Sequence, residues 1–152
     1  SSPALVDRQV VGVFNKSLLI IFANALKNLN IKYAWIVNSE DGLDEISPYA
    51  KTNVVQLKDG EISKIIIDPM KLDVGANKFD DLLGDDAQFN ANKMIEIFKG
   101  VDNDFSKAVC LNAAAGLIVT ERNLEFEDAY KTARSHILSG KTFENLKNIQ
   151  NV

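Results

Sequence analysis

The 152-residue sequence is 46% apolar and 25% charged, the balance of an ordinary globular chain long enough for one domain with a real core. Its 17 basic and 21 acidic residues leave a net charge of −4 with no run of Lys and Arg, which argues against nucleic acid or an anionic membrane as the main partner. A single cysteine, Cys110, excludes an intrachain disulfide and a cysteine metal cage; a single histidine, His136, leaves little material for a histidine metal site or a Ser-His-Asp triad; and no apolar run reaches the roughly 18 residues that span a bilayer.

The chain opens Ser1-Ser2-Pro3-Ala4, without Met or a signal-peptide pattern, and is in an apolar strand within ten residues. That is the expectation for a piece of something longer. Gln9-Val10-Val11-Gly12-Val13-Phe14 is continuously apolar and β-branched, which suits a parallel strand buried on both faces. Asn15 or Ser17 can cap the helix that follows. Its Leu18, Leu19, Ile21, Phe22, Ala25, Leu26 and Leu29 fall on one broad stripe, and 28–30 close it. Residues 31–37 read as a second buried strand, completing a β-α-β unit with a right-handed crossover. Trp35 and Phe22 are expected in the core.

Residues 52–57 and 61–67 flank Lys58-Asp59-Gly60, a strong hairpin signal. The antiparallel pair either extends the parallel sheet or packs against it. Asp68-Pro69 stops it, because proline cannot donate to a ladder. Residues 70–81 read as loop with at most a short helical turn, broken at Gly75. Asp85 or Asp86 caps a helix running to Phe98, with Phe89, Met94, Ile95 and Phe98 as core contacts and Gly100 as its stop. Residues 106–120 are apolar almost all round and read as a central helix that buries Cys110. Residues 124–138 are amphipathic and end at Ser139-Gly140. Thr142 caps a last helix to residue 150. The fold class is α/β: a β-α-β parallel unit, a hairpin and a C-terminal cluster of helices. Two parallel strands are few for so many helices, so further strands are expected on chain upstream.

The chemistry points to Asn38-Ser39-Glu40-Asp41-Gly42-Leu43-Asp44-Glu45-Ile46-Ser47, which follows the second strand. It holds four carboxylates and no base. Open α/β sheets bind ligands at the carboxyl ends of their parallel strands, and vicinal carboxylates without a base repel one another unless a hard cation such as Mg²⁺ sits between them. On an extended segment Asp44 and Glu45 would point apart; on a turn both reach one region, or each holds its own ion. A solvated acidic loop fits the same spacing. The eight glycines are scattered, so there is no Gly-rich phosphate cradle, and nothing resembles a Walker lysine. A carboxylate turn binds phosphate only through a metal. Asn112 starts an apolar helical run and either bonds a neighbouring backbone or faces this site. Asp80-Asp81 reads as a solvated face, Asp85-Asp86 as a cap, and Arg8 as a surface partner of Asp7.

Ser2-Pro3-Ala4, Gln9-Val10-Val11-Gly12-Val13, Asp41-Gly42-Leu43-Asp44-Glu45-Ile46-Ser47 and Leu111-Asn112-Ala113-Ala114 occur in an order and spacing that resembles the anthranilate phosphoribosyltransferase family. Asp68-Pro69 and residues 84–91 match in place, and the resemblance runs from Pro3 to about Ile149. It implies the α/β domain of a nucleoside phosphorylase/phosphoribosyltransferase catalytic fold, with this chain, residues 1–152, as its C-terminal part. It implies Mg²⁺-dependent transfer of a phosphoribosyl group from phosphoribosyl pyrophosphate to anthranilate in tryptophan biosynthesis. Asp44 and Glu45 would be the metal ligands, in a cytoplasmic enzyme that is a homodimer through a helical N-terminal domain. The family's Gly-rich loop, its Lys-His-Gly-Asn segment and its anthranilate-binding arginine do not occur in these residues. Phe89 stands where the family commonly has glutamate. Alone, the chain is expected to be catalytically silent; a non-catalytic α/β scaffold or interaction module of the same descent is the alternative.

Overall fold

The computed structural model describes residues 6–72, 74, 82, 84–120 and 124–150. The Ser2-Pro3-Ala4 match, the breaker at Gly75 and the Asp80-Asp81 face lie outside the described residues. The elements run β1 (Arg8–Gly12), α1 (Leu18–Asn28), β2 (Tyr33–Ser39), β3 (Thr52–Lys58) and β4 (Glu61–Ile67). A short 3₁₀ turn (Pro69–Leu72) follows, then α2 (Ala87–Phe98), α3 (Asp104–Val119), α4 (Phe126–Leu138) and α5 (Lys141–Gln150).

The strands form one sheet in the order β1-β2-β3-β4. β1 and β2 are parallel; β2–β3 and β3–β4 are antiparallel. The hairpin therefore extends the parallel unit edge to edge, with Asp59 and Gly60 at positive φ in its turn, as the Asp-Gly signal requires. Helix α1 covers one face of the sheet over Ala34, Ile36, Val55 and Leu57. The other face carries Tyr33, Trp35, Val37, Val54 and Ile67 and packs against α3 and α4. Trp35 stacks on Phe126 with ring centroids 5.6 Å apart, and its indole N–H donates to Gln56 Oε1. The central strand β2 is buried along its whole length.

Four expectations change. β1 is half-buried rather than buried on both faces, because among the described residues it pairs only with β2 and stands at the sheet edge. Phe14, just past it, is 80% exposed. The stripe on α1 is broader than what the sheet covers: only Leu19 and Ala23 are buried, while Ile21, Phe22 and Leu29 face out. In α2, which lies against α4 and α5, Ile97 is buried and Phe98 packs on the core as expected, but Phe89 and Met94 are exposed and Ile95 is only partly covered. Thr142 is the second residue of α5 rather than its cap.

The caps of the other helices explain where they begin. Asn15, not Ser17, accepts the Ser17 N–H ahead of α1. Asp86 caps α2, its Oδ1 accepting from the Phe89 N–H at 2.8 Å. Asn103 and Ser106 make a reciprocal capping box at the start of α3. Arg8 pairs with Asp7 as expected, but Lys32 lies nearer, at 3.1 Å, and its bond holds the Asp7 carboxyl below the usual range. No helix among the described residues is long and apolar enough to cross a membrane.

Candidate functional site

Three constraints fix the backbone where β2 ends. The Gly42 N–H donates to Ser39 O at 3.1 Å and the Ser39 N–H to Leu43 O at 2.9 Å, closing a tight turn. Gly42 sits at φ +93°, a conformation in which a β-carbon is strained, so glycine is required here. The Glu40 N–H donates to Lys51 O at 2.9 Å, prolonging the β2–β3 pairing past the turn.

The four carboxylates of this turn divide into two kinds. Asp41 is committed to structure. Its Oδ2 accepts from Ser47 Oγ at 2.5 Å and its Oδ1 from the Leu43 N–H at 3.4 Å. Ser47, fully buried, accepts in turn from the Tyr49 and Ala50 N–H groups. Asp44 and Glu45 are exposed and carry no hydrogen bond or ion pair among the described residues; Glu40 is exposed as well. The two expected metal ligands are therefore free carboxylates at the carboxyl end of the parallel pair. No three His, Cys, Asp or Glu side chains among the described residues converge on one point. A cation held here would have two protein carboxylates at most from these residues, and water or a substrate oxygen for the rest. That donor set, oxygen only and open to solvent, suits Mg²⁺, which keeps several waters.

The segment carrying these carboxylates is pinned from three sides. At one end, Gly12 of β1 lies under Asp44 so closely that a β-carbon there would overlap the Asp44 carbonyl. On the strand side, buried Asn38 donates from Nδ2 to Val13 O at 2.8 Å, tying the end of β2 to the end of β1. At the other end, Ile46 is buried, and its N–H donates to Asn112 Oδ1 at 3.0 Å while its carbonyl accepts from Asn112 Nδ2 at 3.2 Å. Asn112 thus bonds a backbone, as one expectation had it, but the backbone is that of the acidic turn itself. Lower on α3, Asp104 is buried and takes a bond from Tyr49 at 3.2 Å and an ion pair from Lys107 at 2.8 Å.

Of the side chains weighed from the sequence, the structure brings Asp44, Glu45 and Asn112 to one place. Asp86 caps α2 elsewhere, and Asp85 accepts from the Asp86 N–H in the loop before it. Cys110 is buried two residues before Asn112, and burial pushes its thiol up to about 11. His136 is on the exposed side of α4. Gly12, Asn38 and Ser47 were not singled out from the sequence. A polar Asn at the end of an all-apolar strand was the available signal for Asn38; the approach of Gly12 to Asp44 across 32 residues left none.

A family model described as the glycosyl transferase family, a/b domain, matches residues 1–143. The chain is 78% identical over 152 residues to an anthranilate phosphoribosyltransferase of Pelagibacter ubique, covering 100% of this chain and 46% of the relative. It is 38% identical over 140 residues to that of Azospirillum brasilense, covering 92% and 39%. The chain thus spans about half the length of the curated relatives it matches. Among solved structures, anthranilate phosphoribosyltransferase from Saccharomyces cerevisiae in complex with PRPP and Mg superposes with a TM-score of 0.81 at 21% identity, over 92% of this chain and 41% of that one. The Thermus thermophilus enzyme gives 0.80 at 24% identity, over 90% and 40%. At these identities the two structures establish the fold.

Proposed function

The chain belongs to the glycosyl transferase family, whose α/β domain it matches along almost its whole length, and from that premise we propose that it is the C-terminal part of an anthranilate phosphoribosyltransferase. The reaction is transfer of the phosphoribosyl group from phosphoribosyl pyrophosphate to the amino group of anthranilate, with release of pyrophosphate, in tryptophan biosynthesis. The carrying observation is the pair Asp44 and Glu45: exposed, unpartnered among the described residues, and held on a pinned turn at the ligand-binding edge of the sheet.

In this reading Asp44 and Glu45 hold Mg²⁺ on the pyrophosphate side. When bound, the ion neutralises charge that builds on the departing pyrophosphate as the ribose carbon becomes cation-like. The chain's own work is positional. Asp41 and Ser47 are bonded to each other and to the turn, and hold its shape. Gly42 and Leu43 set the turn so that Asp44 leaves over Gly12. The phosphate-gripping groups and the anthranilate site belong, on this proposal, to the other half of an enzyme with the relatives' length, cytoplasmic and dimeric. A non-catalytic scaffold of the same descent is the competing reading. Finding a Gly-Thr-Gly-Gly-Asp-like loop and a Lys-His-Gly-Asn segment in the parent gene would decide for the enzyme.

The test is Asp44→Asn with Glu45→Gln in the full-length enzyme. Mg²⁺-dependent turnover should fall by about 100-fold or more, on the scale of losing a positioned charge-stabilising group, at near-normal thermal stability. Unchanged turnover would remove the metal assignment.

A further inference from the structure

We infer that Asn112 is a positioning residue for the Asp44–Glu45 pair, its side-chain amide setting where the two carboxylates stand. The inference rests on the metal reading of that pair and adds to it the group that aims it. Asn112 lies in the interior of α3, where an asparagine is unfavourable because its side chain competes for backbone hydrogen bonds. Here three of the amide's four hydrogen-bonding positions are used. Oδ1 accepts from the Ile46 N–H at 3.0 Å, and Nδ2 donates to the Ile46 carbonyl at 3.2 Å. Nδ2 also donates to Ala108 O at 2.9 Å, one turn back on its own helix, which holds the side chain in one rotamer.

The result is a two-way clamp between a rigid helix and the residue next to Glu45, made across 66 positions of sequence. Ile46 cannot shift without breaking both bonds and exposing a buried side chain. Slack at Ile46 would pass directly to Glu45, and Gly12 blocks movement at the Asp44 end. A two-carboxylate site cannot draw on further protein ligands to correct a misplaced one. Groups that orient metal ligands without touching the metal typically account for 10–100-fold in affinity. The planar amide suits the position because it offers an acceptor and a donor pair on separate atoms in fixed relation, whereas an ionised carboxylate only accepts and cannot serve the Ile46 carbonyl.

The test uses the full-length enzyme, in this chain's numbering, with Mn²⁺ as a paramagnetic probe of the amide NMR signals. In the unsubstituted enzyme Mn²⁺ should broaden the Asp44 and Glu45 signals first. Asn112→Leu, which keeps the volume and removes all three bonds, should need at least 10-fold more Mn²⁺ for the same broadening, with the β3 and β4 signals in place. Asn103→Ala loosens the same helix at its cap without touching the turn, and should titrate like the unsubstituted enzyme. Asn112→Leu titrating normally, or Asn103→Ala losing as much as Asn112→Leu, would overturn the positioning role. Hydrogen exchange at the Ile46 N–H reads the clamp without any metal: protection at the level of the α3 amides is expected, and exchange at loop rates would overturn the clamp itself. No broadening at Asp44 or Glu45 in the unsubstituted enzyme, with Ile46 protected, would instead remove the metal reading and the role built on it.

Discussion

At the scale of single residues, the site depends on a backbone approach as much as on its carboxylates. Gly12 is there because Asp44 O occupies the space of its missing side chain. Gly12→Ala should therefore cost about 1–3 kcal/mol, the usual range for forcing a methyl into filled space, and should move the Asp44 and Glu45 amide signals. A denaturant midpoint and an NMR spectrum check both parts; an unchanged turn would show that β1 yields instead. Cys110 gives a prediction with a sign. Its folded-state thiol is raised to about 11 from an ordinary 9.0, chiefly by burial. The unfolded chain therefore loses this proton first as pH rises, so the contribution is intact below 9 and the folded state loses ground between 9 and 11. Tyr130, also raised by burial, acts in the same direction. Urea midpoints followed across that window should fall, and Cys110→Ala should flatten part of the fall. The sequence made Cys110 legible as a buried residue, because its neighbours are apolar; it could not show that Asp102, Arg134 and Tyr130 come within electrostatic reach of it.

At the scale of elements, α3 is the part of the scaffold that carries the clamp on the acidic turn, and its start is fixed by Asn103. The Asn103 Oδ1 accepts from the Ser106 N–H at 2.9 Å, and Ser106 Oγ accepts from the Asn103 N–H at 3.0 Å. Asn103→Ala removes one side of this box and should lower stability by about 1 kcal/mol, read as a shift in denaturant midpoint at unchanged slope. The apolar run of α3 was plain in the sequence, but the box lies three residues before the expected start, in Val101-Asp102-Asn103-Asp104, where three polar residues compete for the role. The hairpin was legible for a local reason: Asp59 and Gly60 are the residues that tolerate positive φ. Whether it lay beside the sheet or on it was not legible, since β3 has apolar residues on both faces either way.

At the scale of the whole molecule, one surface stands out. Phe14, Ile21, Phe22 and Leu29 line the outer side of α1 and the loop before it, with Ile21 60% and Leu29 67% exposed. Large apolar side chains exposed in this number on and beside one helix promote association. The 152-residue chain should sediment as concentration-dependent oligomers, and Phe14→Asp with Ile21→Lys should shift it toward monomer without changing its circular dichroism. A monomer in the unsubstituted chain at all concentrations would refute this. The helical stripe that predicted a covered α1 was real; a 3.6-residue period records that a face is apolar but not what lies against it.

Local sequence was enough for the β-α-β unit, the hairpin, the order of the helices and the candidate carboxylates Asp44 and Glu45, because each is written in short-range periodicity, turn chemistry or a compact motif. Folding in three dimensions settled the rest: Asp41 is spent on Ser47 while Asp44 and Glu45 stay free, Gly12 and Asn38 hold the ends of the two parallel strands together, and Asn112 clamps the turn. Those facts join residues 6 to 66 positions apart, and a contact made by folding leaves no mark in the local pattern of either partner.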